Sequence, residues 1–151
     1  MTLHELLHTQ SKPIIAEAVE ALQRSRLSHY RGAGTEHTHH RILALYVLTS
    51  RAVNERNIGP MIAHANTIAG ERFKQGFDLS EVQTAFNVLE EVIWRHIIKE
   101  LEPAEQAHAL GLVGTVLGAG KDALAREYVS LASKTKAPSL NLESLFTGTE
   151  R

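Results

Sequence analysis

Cysteine is absent from the 151-residue sequence. Disulfide bonds, thiolate metal ligands and cysteine nucleophiles are therefore excluded. A chain of this length can bury roughly 70 % of its unfolded surface in one domain, so no covalent or metal staple is needed for stability. The composition is the one expected of a single domain in the reducing cytoplasm.

The sequence also lacks a strong charge of either sign and any long apolar run. Its net charge of −1 argues against a general affinity for nucleic acid or for an anionic membrane. The longest unbroken apolar run, residues 42–48, is too short to span a bilayer. Residues 1–10 have neither the basic start nor the long apolar core of a signal peptide. We expect neither a nucleic-acid partner nor a membrane partner.

The clearest helix signal covers residues 78–101. Asp78 and Glu81 have the spacing of a capping box, and Pro103 ends the run. Apolar residues recur at spacings of three and four, which places them on one face: Leu79, Val82, Phe86, Leu89, Ile93 and Ile97. The only tryptophan, Trp94, lies off that face. We predict that this helix is central and that Trp94 meets a second neighbour, a ligand or a partner.

The other helices follow from the same periodicity. Residues 3–29 are predicted to be helical, with Pro13 separating a short first piece from a second one that starts near Ser11. A long helix is predicted from Thr35 or Thr38 to about residue 57, and the next from about residue 60 to residue 74. Gly76 then occupies the position after the helix end, where a left-handed residue is favoured.

The last helix is predicted to start near residue 103 and to end near residue 133. Residues 134–151 are expected to form a mobile C-terminal tail. The predicted fold is therefore all-α, a helical bundle of about five helices over residues 1–133. A globin-like arrangement without haem stays open, because helix periodicity does not fix crossing angles.

The last helix carries two features of an interface. Leucines repeat every seven residues, at Leu110, Leu117, Leu124 and Leu131, which is a seam for packing on another helix of the domain or on a second copy. Glycines share one flank, at Gly111, Gly114 and Gly118, which suggests a very close helix approach or a local irregularity. We predict a homodimer interface at Leu110, Gly114, Leu117 and Leu124.

Two pairs of histidines have the spacing of metal ligands on a helix. His4-Glu5-Leu6-Leu7-His8 matches the H-E-x-x-H pattern, in which two histidines on one helix face bind zinc and the glutamate acts as base. With nine histidines in the chain, so short a match arises readily by chance, and only three residues precede it. An exposed helix is the expected structure, with metal capture by His4 and His8 as the alternative. His37 and His40, one turn apart, pose the same choice between a metal site and a solvated helix start.

A haem could be held by His64, His96 or His108, although single helical histidines usually have structural roles. We therefore predict no cofactor and keep a histidine-based metal or haem protein as the alternative function. No interior carboxylate pair suggests catalysis. A ligand or partner surface is predicted at Arg72, Phe86, Trp94, Arg95 and His96.

One stretch resembles a known family. Residues 70–82, GERFKQGFDLSEV, combine an arginine-bearing helix end, a glycine turn and a leucine-x-glutamate-valine entry. A long apolar helix through Trp94 and Arg95 follows. The segment resembles the N-terminal domain of RsbRD-type RsbT co-antagonist proteins, and the helix order over about residues 3–132 fits as well.

The resemblance implies a non-enzymatic bacterial stress-response sensor related in shape to the globin-like input domains of stressosome proteins. Such domains commonly dimerise and pass a signal to an output domain. No output domain is recognisable within these 151 residues, so the domain either acts through a partner protein or is joined to an output domain outside this sequence. The family supplies no catalytic residue, and the sequence leaves the ligand and the pathway undetermined.

Overall fold

Six helices and no strand make up the part of the chain that the computed structural model describes, residues 1–25 and 34–136. The helices are α1 Leu3–Thr9, α2 Ser11–Arg24, α3 Thr35–Glu55, α4 Gly59–Lys74, α5 Leu79–Glu100 and α6 Pro103–Lys136. The predicted all-α bundle is confirmed. The globin-like arrangement stays a prediction.

The predicted helix boundaries agree with the structure to within a few residues. Helices α1 and α2 are the two pieces expected around Pro13, and α2 starts at Ser11. The predicted continuation to residue 29 falls partly on residues 26–33, which lie outside the described residues. Helix α6 continues to Lys136, three residues beyond the predicted end, and the rest of the predicted tail also lies outside the described residues.

Helix α5 lies against four other helices, α1, α2, α3 and α6. The apolar face predicted from its spacing is buried from Val82 to Ile97, and only Leu79 at its start is half-exposed. The most extensive contact between two helices joins α4 and α6. The core is therefore built around α5 and closed by the α4–α6 pair.

The leucine seam of α6 packs inside the domain. Leu117 and Leu124 are fully buried, and Leu110 packs partly buried against the same core. The heptad spacing is compatible with packing on another helix of the domain or on a second copy of the chain. In the structure, these leucines pack against helices of their own chain. Side chains that are fully buried in the core offer no surface to a second copy.

A close helix approach occurs on α6, but not at the predicted flank. No atom lies within 4 Å of an added Cβ at Gly111 or Gly118. A Cβ at Gly114 would meet only the carboxylate of Glu90, at 3.8 Å. A Cβ at Gly120 would instead lie 2.7 Å from Phe86 Cε2 and 3.0 Å from the sulfur of Met61.

Two tyrosine hydroxyls fasten helices together inside the bundle. Tyr46 on α3 donates to the carbonyl of Leu7 on α1, and burial raises the pKa of the Tyr46 phenol. Tyr128 on α6 donates to the carbonyl of Phe77 at 3.0 Å. The second bond ties the C-terminal half of α6 to the turn between α4 and α5.

Candidate functional site

A cavity of about 300 Å³ lies between α3, α4 and α5. Each helix contributes residues spaced by three or four positions, so one face of each lines the space. The apolar walls come from Ala44, Leu45, Ile68, Val82, Ala85 and Phe86. The polar groups are His40, Arg41, His64, Thr67, Glu71 and Arg72. An apolar cavity with a few convergent polar groups is the usual form of a small-molecule site.

The turn between α4 and α5 shapes one end of this cavity. Gly76 has φ +84°, and the bonds from Phe77 N to Arg72 O and from Gly76 N to Phe73 O form a Schellman motif. Asp78 and Glu81 then start α5 with the predicted capping box, in which Glu81 Oε1 accepts from the Asp78 amide at 3.0 Å. The motif turns the buried Phe77 ring back onto the end of α4.

Two arginines meet on the Phe77 ring. The guanidinium carbon of Arg41 lies 5.0 Å from the ring centroid, and that of Arg72 lies 5.8 Å from it. Both distances are in the range of cation–π contacts. Arg41 comes from α3 and Arg72 from α4, so two positive charges from separate helices are brought together beside the cavity. The side chain of Arg72 is only 12 % exposed, which limits its hydration.

The remaining titratable groups of the cavity are His40, His64 and Glu71. Burial lowers the pKa of His64, the positive charge of Arg72 lowers it further, and the negative charge of Glu71 partly opposes both. Glu71 is half-exposed, and its contact with Arg72 is long, at 3.4 Å. Among the groups that line this end of the cavity, two guanidinium groups therefore face one carboxylate, and solvent largely screens that carboxylate.

A second hollow adjoins the first on its polar side. Its lining consists of Glu36, His37, His40, Arg41, Arg72 and Gln75, and its volume is about 510 Å³. His40, Arg41 and Arg72 line both spaces. The cationic groups therefore stand between a mostly apolar interior and a polar opening. Of these residues, the sequence predicts Arg72 as a ligand or partner contact and leaves His37 and His40 open between a metal site and a solvated helix start.

The structure divides the predicted ligand or partner surface into three places. Arg72 and Phe86 both line the cavity, although the Phe86 ring is also a buried core group against Gly120. His96 faces α2, where its Nε2 lies 3.1 Å from a carboxylate oxygen of Glu17. Trp94 and Arg95 lie on the outer side of α5.

Trp94 belongs to an exposed surface at the border of α5 and α6. Trp94 and Ile98 are both 51 % exposed and are one helical turn apart. Contacts across the border flank them, from Glu90 to Lys121 at 3.7 Å and from Gln106 to the Ile98 carbonyl at 3.2 Å. We call Trp94 and Ile98, with the glycine flank of Gly111, Gly114 and Gly118, the Trp94 surface.

The three histidines considered for a haem lie in three separate places. His64 lines the α3–α4–α5 cavity, His108 lines a separate hollow beside His4, and His96 pairs with Glu17. The rings of His4 and His8 stack with centroids 6.5 Å apart. Within residues 1–25 and 34–136, no group of three or more histidine, aspartate or glutamate side chains is placed to hold a metal ion.

Sequence reasoning did not find Arg41 and Phe77 as parts of the site. The signal that could have suggested them is local: Gly76 forces a tight turn, and residues 40, 41, 44 and 45 share a helix face. Their meeting with Arg72 depends on how α3 packs on α4, which the sequence pattern does not specify. Among the helices described, none is long and apolar enough to cross a membrane.

Comparison with known proteins gives a family and no individual relative. The family described as RsbT co-antagonist protein rsbRD N-terminal domain matches residues 12–134. Neither the curated proteins nor the solved structures contain a match. The matched span runs from the start of α2 nearly to the end of α6, and so includes both the cavity and the Trp94 surface. The chain thus belongs to the RsbRD N-terminal domain family and is a signalling domain related to stressosome proteins.

Proposed function

We propose that this chain is a non-enzymatic cytoplasmic sensor domain that acts as a homodimer and signals by changing its helix packing. Two places in the domain are suited to bind a ligand or a second copy: the α3–α4–α5 cavity and the Trp94 surface. Family membership supports the signalling role, and the cysteine-free composition fits the compartment. A binding event shifts such a packing equilibrium only if it favours one arrangement over the other.

The single observation that supports the dimer most strongly is the exposure of Trp94. Trp94 is the only tryptophan of the sequence, is half in water and lies one helical turn from a second exposed apolar side chain, Ile98. Large aromatic residues are enriched at interfaces and supply much of their binding free energy. Within the neighbouring glycine flank, Gly111 and Gly118 have open space where side chains would stand, so a second copy could approach the backbone closely there.

This arrangement replaces part of the predicted interface. Gly114 keeps its proposed place at the edge of the Trp94 surface, and Leu110 lies partly buried in the neighbouring core. Leu117 and Leu124 act through the α6 core instead of through direct contact with the second copy. The output is carried either by a partner protein or by a domain joined to this one.

The test is the mass of the particle in solution for two charge-introducing variants. Trp94→Glu places a carboxylate in the proposed interface and should convert the dimer to a monomer. Val47→Glu is the matched control, because Val47 is an equally exposed apolar side chain, at 54 %, on the groove between α1, α2 and α3. Light scattering after gel filtration should report a dimer for the wild type and for Val47→Glu.

Either of two results would remove the proposed interface. One is a wild-type monomer at micromolar concentration. The other is a Trp94→Glu dimer of unchanged mass. Circular dichroism of each variant checks that the helices are intact, and they should be, because both substituted side chains are exposed.

A further inference from the structure

We propose that the α3–α4–α5 cavity binds a small organic anion: a carboxylate held by Arg41 and Arg72, with its short apolar body enclosed by the helix walls. This inference rests on the proposed sensor role and supplies it with a class of ligand. The juxtaposition that carries it is one aromatic ring, Phe77, with two guanidinium groups from different helices at the rim of a mostly apolar space.

The two arginines have the chemistry that carboxylate recognition requires. A guanidinium presents several N–H donors in a fixed plane and can bind a carboxylate through two parallel hydrogen bonds. Contact with the Phe77 ring restricts both side chains, so less conformational entropy is lost when an anion arrives. Arg72 is largely withdrawn from water, which strengthens its attraction for an anion.

The histidines add hydrogen-bonding capacity on the same side. His64 lines the cavity on the same helix as Arg72, eight positions earlier, and so on the same helix face. His40 lines both the cavity and the adjoining hollow. A carboxylate placed between the arginines would therefore have imidazole groups from α3 and α4 within the same lining.

The rest of the cavity determines the body of the ligand. Its inner wall consists of apolar side chains from all three helices, among them the fully buried Phe86 and the buried Val82. A volume of about 300 Å³ is at the lower end of the range for small-molecule sites. A short fatty acid or an aromatic acid fits this description better than inorganic phosphate, which would leave the apolar wall uncovered.

Two carboxylates oppose the anion and limit its charge. Glu71 contacts Arg72 at 3.4 Å, and Glu36 lines the adjoining hollow. Both are exposed on the solvent side, so solvent screens their repulsion. Repulsion from these acids grows with the charge of the ligand, so a single negative charge suits the site better than the multiple charge of a phosphate ester.

The location of the cavity connects it to the rest of the bundle. Phe86 lines the cavity and also packs against Gly120, the point of closest approach to α6. Helix α6 in turn contributes the glycine flank of the Trp94 surface. A ligand that changes the packing of α3 and α4 against Phe86 can therefore bias the position of α6 relative to α5.

The experiment is calorimetric titration of the full chain with octanoate and with phenylacetate. At least one of them should bind with a stoichiometry of one per chain. Octanamide, the neutral counterpart of octanoate, and inorganic phosphate should each bind at least about tenfold more weakly. Octanamide lacks the negative charge that the arginines bind, and phosphate lacks the apolar body that the helix walls enclose.

Three variants and a control localise the site. Arg41→Gln and Arg72→Gln should each weaken binding by about tenfold or more, since each removes a charge-assisted hydrogen bond. Ala44→Phe should abolish it by filling the cavity while leaving both arginines in place. Arg95→Gln is the matched control, because Arg95 is exposed, pairs with Glu91 and lies away from the cavity.

The outcomes are decisive. Tenfold selectivity for the acid over the amide, lost in the cavity variants and kept in Arg95→Gln, supports the site. Absence of binding by both acids overturns it, as does equal binding of the same acid by the wild type and by all three arginine variants. The oligomeric state of the same samples is a separate readout. A monomer that binds octanoate would overturn the proposed dimer and retain the site. A dimer that binds neither acid would overturn the site and retain the proposed dimer.

Discussion

Gly120 occupies a position that no other residue can fill without displacing its neighbours. A Cβ there would lie 2.7 Å from the rigid, buried ring of Phe86. The glycine flank that the sequence made conspicuous has no such contact within the chain. Composition identifies glycines that are unusual in a helix, but only the packing shows which of them is required.

Gly120→Ala should therefore lower the free energy of unfolding by about 1 kcal/mol. Overpacking of a core costs about 1–3 kcal/mol, and the better helix propensity of alanine offsets about 1 kcal/mol of that. Gly70→Ala on α4 is the matched control, since nothing lies within 4 Å of its added Cβ, and it should gain up to about 1 kcal/mol. Urea denaturation measures both, and a stabilised Gly120→Ala would show that the approach is loose.

His64 should make stability depend on pH in a defined direction. Its pKa is lowered in the folded protein by burial and by Arg72, with Glu71 opposing. Below the unfolded pKa of about 6.5, the unfolded state therefore binds more protons at this site. The contribution of neutral His64 to stability is present above that pH and is lost as the pH falls through the folded pKa.

The comparison that isolates His64 is with His64→Gln. Between about pH 7.5 and about pH 5.5, the wild type should lose more free energy of unfolding than the variant does. Arg41 and His40 also line the cavity and are common to both proteins, so their effect largely cancels in the difference. Parallel stability curves, or a steeper loss in the variant, would contradict the assignment.

Helix α5 was the best-predicted element because local sequence signals determine its start, its end and its buried face. The capping box at Asp78 and Glu81 forms as expected, and the helix ends at Glu100, ahead of Pro103. The partner of the α6 seam could not be predicted in the same way. Heptad spacing shows that Leu117 and Leu124 share an apolar face, but it does not show which helix covers it.

The cavity was predicted only in part, for a similar reason. Arg72 and Phe86 were selected from the sequence, but Arg41 lies 31 positions from Arg72 and comes from a separate helix. Arg41 and Arg72 meet at Phe77 because a Schellman motif and the packing of α3 on α4 place them there. Contacts of that range depend on crossing angles that no local pattern encodes.

The attachment of α6 to the α4–α5 turn should depend on one hydroxyl. Tyr128→Phe removes the donor to the buried carbonyl of Phe77 and should cost about 1–2 kcal/mol of unfolding free energy, because that carbonyl loses a partner in the interior. Arg126→Ala on the same helix is the control. Its ion pair with Asp122 is exposed, so the change should stay within about 0.5 kcal/mol. Thermal or urea denaturation measures both variants. If Tyr128→Phe and Arg126→Ala lower the free energy of unfolding equally, the Tyr128 hydroxyl has no special role.

At the scale of the whole molecule, the cavity and the Trp94 surface lie on different parts of one bundle. The cavity uses α3, α4 and α5, and the Trp94 surface uses α5 and α6. Helix α5 belongs to both, and its buried face is continuous between them. This arrangement suits a sensor domain, in which occupancy at one place changes the geometry of an interface at another.

The absence of cysteine permits the most direct measurement of the proposed dimer, because a single introduced cysteine can carry the only spin label. Dipolar distances would be measured between two copies labelled at Thr115→Cys, beside the glycine flank, and separately between two copies labelled at Val47→Cys. The account predicts a dipolar signal in both samples, with the shorter distance for Thr115→Cys. No signal, or a shorter distance for Val47→Cys, would contradict a sensor dimer assembled through the Trp94 surface.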